Sequence, residues 1–342
     1  MRKAVILFNL GGPDSLESVE PFLFNLFNDP AILSLPTILR YPLAKLISKR
    51  RTPTAKAIYS EMGGSSPILE QTKMQALAIE ESLKDQSDDY KCFIVMRCWN
   101  PRASLVIKEI MNYKPEQIIL LPLYPQYSDS TSGSSIREWL EECEKNNITA
   151  DTKIICCYPT EDNFILSHAN LIREKVSLTE IENTIIIFSA HGLPENKIRK
   201  GDPYQWQVEK TVEKLVSKLD IKKSNYILSY QSRVGPLKWI GPSTDEVIVE
   251  QSKKKKTIVL IPIAFVSEHS ETLVELDIEY KKLAKDNGCK NYTRIPALGT
   301  NKNYIKGLSE LIINKEEYKF KENLYSPKKQ CLSKFNKCPC YQ

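Results

Sequence analysis

With 342 residues, 42% of them hydrophobic and 26% charged, the chain has the balance of a soluble globular protein and the length of two ordinary domains. Its net charge of +6 is modest, and its lysines are spread out apart from the run at 253–256. No stretch interleaves basic with aromatic residues, which argues against a nucleic-acid partner. The longest apolar runs, 118–124 and 257–266, fall short of the roughly 20 residues that span a bilayer.

The first run, AVILFNL (4–10), reads as a strand that ends in the turn Gly11-Gly12-Pro13. Because the apolar stretch meets that turn with no small-residue cleavage site, a strand is expected and not a signal peptide, which implies a reducing cytosol. The nine cysteines are then expected to be thiols or metal ligands, not disulfides. VEPFLFNLF (19–27) is helical. The segment 21–50 is rich in Phe, Leu and Ile, broken by prolines and closed by Lys and Arg. It reads either as a packed helical lid or as an apolar lip open to greasy substrates or a membrane surface. In 48–67, Arg50 and Arg51 precede Tyr59, Ser65 and Ser66 beside Gly63-Gly64. This is either a basic surface loop or a grip for carboxylates, which the planar guanidinium fork suits.

Strands are predicted at 90–99 and 117–125 around the helix 103–113, followed by a helix at 134–145 and a strand at 152–159. A second series follows, with a helix near 161–176, a strand at 183–190 and a helix at 202–219. Strands at 225–232 and 257–265 and a helix from Glu268 complete it. Strands apolar on both faces, separated by amphipathic helices, predict parallel sheets covered by helices. The order resembles one α/β unit repeated, which divides the chain into 1–160, 161–315 and a polar, cysteine-bearing tail at 316–342. Leu10, Arg97, Tyr124, His191, Gln231 and His269 all fall at or just past strand ends, where open α/β sheets bind ligands. Two facing domains are expected to share one cleft. Neither G-x-G-x-x-G nor a P-loop occurs, so no nucleotide fingerprint accompanies the pattern.

Three stretches carry candidate chemistry. His191, in SAHGLP (189–194), follows a strand and precedes a glycine and a proline. It is either a hydrogen-bonding residue of a turn or a base or metal ligand. Glu271, Glu275 and Glu279 are spaced so that a helix would align them on one face, with Glu268 and His269 in the first turn. Such a row is either a solvated acidic face or a set of ligands for a divalent ion such as Fe(II), able to pass cations or protons inward. Trp239 lies in a loop with two Gly-Pro pairs, where it either packs or offers a flat face to a flat ligand.

Taken together, LFNLGGPDSLESVEPFLFNLFNDP, KRRTP, LYPQYSDSTSGSS, FSAHGLP, GDPYQWQV, YQSRVGPLKWIGP and PIAFVSEHSETLVELDIEY resemble the ferrochelatase family, in order, from about residue 4 to 310. The resemblance implies two Rossmann-like doubly wound domains, the chelatase fold, with a porphyrin cleft between them. It implies a lyase that inserts ferrous iron into protoporphyrin IX to form protohaem. His191 matches the family's active-site histidine. Glu271 matches the glutamate of the DH-x-ET motif, with Glu268 in place of its aspartate. Glu275 and Glu279 match an acidic row on a π-type helix, a feature common at functional sites. Arg50, Arg51, Tyr59, Ser66 and Tyr124 fall where the family handles the porphyrin and its propionates, and Trp239 falls on a porphyrin-packing tryptophan.

Two positions depart from the pattern. Relatives often read RYWHP where this chain has Arg97-Cys98-Trp99-Asn100-Pro101, so positions 98 and 100 receive no role. Leu10 stands where the coproporphyrin-using branch has tyrosine, which points to protoporphyrin IX.

Cys331, Cys338 and Cys340 form C-x6-C-x-C in the tail. They are either ordinary thiols or three of the four thiolates of a 2Fe–2S cluster. Animal relatives take the fourth ligand from the position occupied here by Asp129. Some bacterial relatives use a cysteine near the domain junction, which Cys157 matches. The expected partners are thus protoporphyrin IX and ferrous iron, with a cytoplasmic location and peripheral contact at the inner membrane face. A non-catalytic haem or metal carrier would need the lip and Trp239 but not His191 and Glu271 together. A chelatase for another metal and tetrapyrrole is the remaining alternative.

Overall fold

A computed structural model of the chain describes residues 1–176, 183–233, 235, 237–313, 319–321, 324–325 and 332–339. They form two compact units. One comprises Met1–Cys157 with Leu308–Lys329, the other Tyr158–Gly307 with Gln330–Gln342.

In the first unit, β1 (Arg2–Asn9), β2 (Asp89–Met96), β3 (Gln117–Pro122) and β4 (Asp151–Ile155) form a parallel sheet in the order β2-β1-β3-β4. Two short strands, β9 (Lys319–Lys321) and β10 (Leu324–Tyr325), extend it beyond β4. β1 is central, with Val5 registered against Cys92 on one side and Ile119 on the other. All its residues from Lys3 to Asn9 are buried, as an apolar strand between two neighbours requires. Helices Ala103–Tyr113 and Ser134–Lys145 cover one face, where Ile6, Phe8, Val106, Ile110 and Trp139 share a core. Helix Ile68–Leu83 packs against β1 and β2, and its Thr72 hydroxyl accepts from Asn9 Nδ2 at 3.1 Å.

In the second unit, β5 (Thr184–His191), β6 (Tyr226–Gln231), β7 (Thr257–Pro262) and β8 (Asn291–Arg294) are parallel in the order β6-β5-β7-β8. Ile185, Ile187, Ile258 and Leu260 of the sheet pack with Val247 and Ile248 of helix Thr244–Lys253 and with Leu276, Tyr280 and Ala284. Helices Asp162–Lys175 and Tyr204–Leu219 pack on each other.

Each unit therefore places its first strand between its second and third. The chain leaves that strand in opposite directions, which opens a crevice at the carboxyl ends of the first and third strands. In the first unit this point lies between Leu10 and the residues after Pro122. In the second it lies between His191 and the residues after Pro262.

Several boundaries differ from the sequence reading. β2 stops at Met96, β3 at Pro122 and β7 at Pro262, each close to a proline that cannot donate to a ladder. Residues 48–60, readable as a surface loop, belong to the helix Thr37–Ser60. Its interior prolines Pro42 and Pro53 are both exposed, and each removes one amide donor from the helical ladder. The helix expected from Glu268 begins instead at Glu271 as a π-helix, Glu271–Glu279, and continues as an α-helix to Asp286. The Tyr280 amide bonds the Glu275 carbonyl five residues back, the mark of that wider turn.

Candidate active site

His191 is the last residue of β5, in register with Gln231 of β6. The amide of Gly192 donates to the Gln231 carbonyl at 2.9 Å. The Gly192 carbonyl lies 2.6 Å from His191 Nδ1, and since a carbonyl only accepts, Nδ1 carries the hydrogen. This turns Nε2 toward Glu271, 3.5 Å from Oε1. His269 is set the same way. Its Nδ1 donates to the Ser267 carbonyl at 3.1 Å, its ring lies against Phe265, and its Nε2 is 3.7 Å from Glu271 Oε2. One carboxylate thus meets two imidazoles, one at each oxygen. The side chains of His191 and Glu271 remain 39% and 27% exposed, so the pair is open to a reactant.

Electrostatics couple the two. Burial pushes His191 down, but the Glu271 carboxylate, the Gly192 carbonyl and Glu275 outweigh it and raise the imidazole to about 9. Burial likewise pushes Glu271 up, but His191 and then His269 hold it well below the usual carboxylate range.

Glu275, one turn further on, is held by four donors. Oε1 accepts from the Ser232 amide at 3.0 Å and Tyr280 Oη at 2.9 Å, and Oε2 from Ser232 Oγ at 2.6 Å and Gln231 Nε2 at 3.2 Å. Ser232 reaches it from a left-handed backbone, φ +59°, sparsely populated for a side-chain-bearing residue. Burial and the nearby Glu271 raise Glu275 despite these donors. Glu279 is exposed, so the row runs from the paired Glu271 through the held Glu275 to solvent. Glu268 does not join it. Its Oε1 accepts from Arg294 at 2.5 Å and from the Ala297 amide at 2.9 Å, and Arg294 also pairs with Asp277. Of the three histidines, His168 is a core residue, fully buried against Phe164 and pushed down to about 3 by burial.

Trp239 pairs with Pro194 across an antiparallel bridge, flanked by bonds from Ile240 N to Leu193 O and from Glu195 N to Lys238 O. This strap sets the indole beside the turn that follows His191.

In the first unit, Leu10 and Tyr59 share an apolar cluster with Phe22 and Cys98. Ser66 sits under the glycine turn. A Cβ on Gly12 would stand 2.5 Å from the serine side chain, and Ser66 N bonds Pro13 O at 2.8 Å. Arg50 and Arg51 are exposed on helix Thr37–Ser60, with the Arg51 guanidinium 5.8 Å from the Phe27 ring centre. Tyr124 follows β3, with its hydroxyl buried beside Ser135. The same helix leaves Ile38, Leu39, Tyr41 and Leu46 exposed.

Sequence reasoning missed Ser232, Tyr280 and Arg294. Ser232 and Tyr280 lie inside the stretches YQSRVGPLKWIGP and PIAFVSEHSETLVELDIEY, but nothing in those stretches points them to Glu275; the parallel pairing of β5 with β6 and the wide π turn bring them there.

Cys157 is buried just past β4, its sulfur 3.6 Å from that of Cys156, and Cys338 is buried in the segment 332–339. That segment is fixed by Phe335 against Trp206 and by the Lys337 amide on Gly201 O. Cys331 and Cys340 lie outside the described residues. Among the described residues, no three His, Cys, Asp or Glu side chains are grouped to hold a metal ion. Water-shielded thiols are the donor type an iron–sulfur centre takes, so the two described positions fit such a group.

Among solved structures, SirB from Bacillus subtilis with Fe3+ matches 92% of this chain over 95% of its own, with a TM-score of 0.53 and 12% identity. The sirohydrochlorin chelatase SirB from Bacillus subtilis subspecies spizizenii, in complex with cobalt, gives a TM-score of 0.52 at 10% identity over 90% of this chain and 92% of its own. At such identities they show a common fold. Among curated proteins, the ferrochelatase of Pelagibacter ubique is 68% identical over 99% of both chains. That of Rickettsia bellii is 50% identical over 99% of this chain and 95% of its own. The sequence profile described as Ferrochelatase matches residues 2–316. With this coverage, and with the paired imidazole and carboxylate at the crevice of the second sheet, the chain belongs to the ferrochelatase family.

Proposed function

We propose that the chain is a lyase that inserts ferrous iron into protoporphyrin IX to give protohaem, with His191 and Glu271 at the reacting centre. The observation that carries this reading is the open imidazole–carboxylate pair, Nε2 to Oε1 at 3.5 Å, at the end of β5. The reaction exchanges one Fe(II) for the two inner N–H protons of the ring. A flat porphyrin presents its lone pairs poorly, so an enzyme gains by holding a bent ring close to the transition state. It also needs a base within reach of the N–H groups and a ligand for a partly stripped ion. His191 Nε2 and Glu271 Oε1 supply a nitrogen and an oxygen donor of the kind Fe(II) accepts. Glu275 and Glu279 give the released protons an acidic way to solvent.

Leu10, Tyr59, Ser66 and Tyr124 contact the macrocycle or its edge in this reading, Arg50 and Arg51 meet its propionates, and Trp239 packs on its face. Leu10 selects protoporphyrin IX. The exposed apolar side chains of helix Thr37–Ser60, flanked by Arg40, Lys45 and Lys49, rest on an anionic bilayer surface. No helix of the described residues is long and apolar enough to cross a membrane. Cys157, Cys331, Cys338 and Cys340 hold a 2Fe–2S cluster that ties the tail down and takes no part in insertion. Anaerobic incubation with Fe(II) and protoporphyrin IX should yield haem. Absence of product, or a strong preference for coproporphyrin III, overturns the substrate assignment.

A further inference from the structure

Residues 332–339 form a short turn-rich segment in the same compact unit as helix Tyr204–Leu219. Within it only Phe335 and Cys338 are buried, 6% and 0% exposed, and the other six residues are half-buried or exposed. Two consecutive turns set that spacing. The Phe335 amide donates to the Leu332 carbonyl at 3.0 Å, and the Cys338 amide donates to the Phe335 carbonyl at 2.9 Å. Residues three apart across so tight a turn share a side, so a buried Phe335 brings Cys338 in with it. The Phe335 ring lies against the Trp206 indole, with centroids 5.4 Å apart and planes at 42°, and Lys334 Nζ stands 5.2 Å from the ring centre. The Lys337 amide donates to the Gly201 carbonyl at 3.3 Å. The Asn336 backbone nitrogen sits over Gly201, where a Cβ would stand 3.1 Å from it. These contacts are made by rings and backbone, and none of them uses a sulfur.

We propose that Phe335 on Trp206, with the backbone of Gly201, is a metal-independent clasp for the tail, which buries Cys338 before any cluster is built. The clasp is a second tie beside the cluster and comes first. Burial of the Phe335 ring and the two turns offset the ordering entropy of the segment. The proposal deepens the cluster reading given above and rests on it only for its consequence in assembly. With one donor already in place, less chain has to be fixed as the other thiolates join, the usual gain of a preorganised site. A tail held by metal–thiolate bonds alone would instead leave Phe335 and Cys338 exposed until the metal arrives.

Thiol labelling tests the clasp in protein that cannot form the cluster. Cys331→Ser with Cys340→Ser removes two of its four thiolates. In that background Cys338 should react with iodoacetamide, followed by peptide mass spectrometry, at least about a hundredfold more slowly in native buffer than in guanidinium. Phe335→Ala should speed the native reaction at least about tenfold. Phe335→Leu, which keeps most of the apolar volume, should speed it less than about threefold. Trp206→Ala should match Phe335→Ala, and the two together should exceed either alone by less than about twofold. Should Trp206→Ala not fold, the Phe335 series decides by itself, because Phe335 lies outside the cores of both sheets. A Cys338 as reactive as in guanidinium, or a rate that Phe335→Ala leaves unchanged, overturns the proposal. In the chain with all its cysteines, 2Fe–2S absorption should grow about tenfold more slowly in Phe335→Ala than in the native protein during anaerobic reconstitution with iron and sulfide. An equal rate overturns the proposed order of events. If the native protein gains no such absorption while Cys338 stays shielded, the cluster reading fails and the clasp stands.

Discussion

At the scale of single residues, the proposed chemistry rests on where two ring nitrogens point. The Gly192 and Ser267 carbonyls take Nδ1–H of His191 and His269, so each ring turns Nε2 to the same carboxylate. Replacing His191 by Ala removes the proposed base or ligand and should lower turnover by at least about a hundredfold while far-UV circular dichroism stays native. The pH dependence follows from the same pair. His191 is raised from 6.5 to about 9, so its contribution to stability is full below about 6.5 and is lost as pH rises through about 9. Glu271 is lowered from 4.5, so its contribution is present above that value and is lost as pH falls toward its depressed one. Thermal midpoints of the native protein and His191→Ala should therefore differ most near pH 6 and converge above about pH 9. The identity of His191 was readable in SAHGLP, but its partner oxygen, its tautomer and its charge were not. These depend on carbonyls that the turn and the sheet bring to it.

At the scale of elements, the acidic row divides. Its i, i+4, i+8 spacing is visible in the sequence and predicts one face, but it does not separate a paired Glu271 from a held Glu275 and an exposed Glu279. The π turn and the Ser232 donors make that distinction. Glu268, which the motif alone would place in the same row, is drawn off by Arg294 of β8. Arg294 is only 10% exposed and serves both Glu268 and Asp277, so it closes the start and the middle of the helical segment onto the sheet. Arg294→Ala leaves two partly buried carboxylates without their cation. It should cost about 3 kcal/mol in chemical denaturation, with turnover of the remaining folded protein close to native. A loss of activity without loss of stability would place Glu268 back in the acidic path.

At the scale of the whole molecule, two sheets share one strand order, and each brings its candidate residues to the same topological point. The lip and the tail are additions to that plan. Ile38 is 87% exposed and Leu46 65% exposed on a helix that also carries Arg40, Lys45, Arg50 and Arg51. Leu46→Glu should lower the fraction that co-sediments with vesicles containing phosphatidylglycerol, without changing the thermal midpoint. An unchanged bound fraction removes the lip from membrane contact. For the tail, protein expressed with ample iron and sulfide should show the visible absorption of a 2Fe–2S centre, and Cys338→Ser should abolish it. A colourless native protein sinks the cluster assignment.

The sequence by itself determined the alternation of apolar strands and amphipathic helices, the repeated unit, and the residues of SAHGLP and SEHSETLVELDIEY that mark the family. Those properties are local, set by side-chain periodicity and by turn residues that act within a few positions. The tertiary structure alone decided which carboxylate meets His191, which is clamped and which is paired elsewhere. Each of these depends on groups between five and 80 positions apart in the chain, joined by parallel pairing and by one wide helical turn.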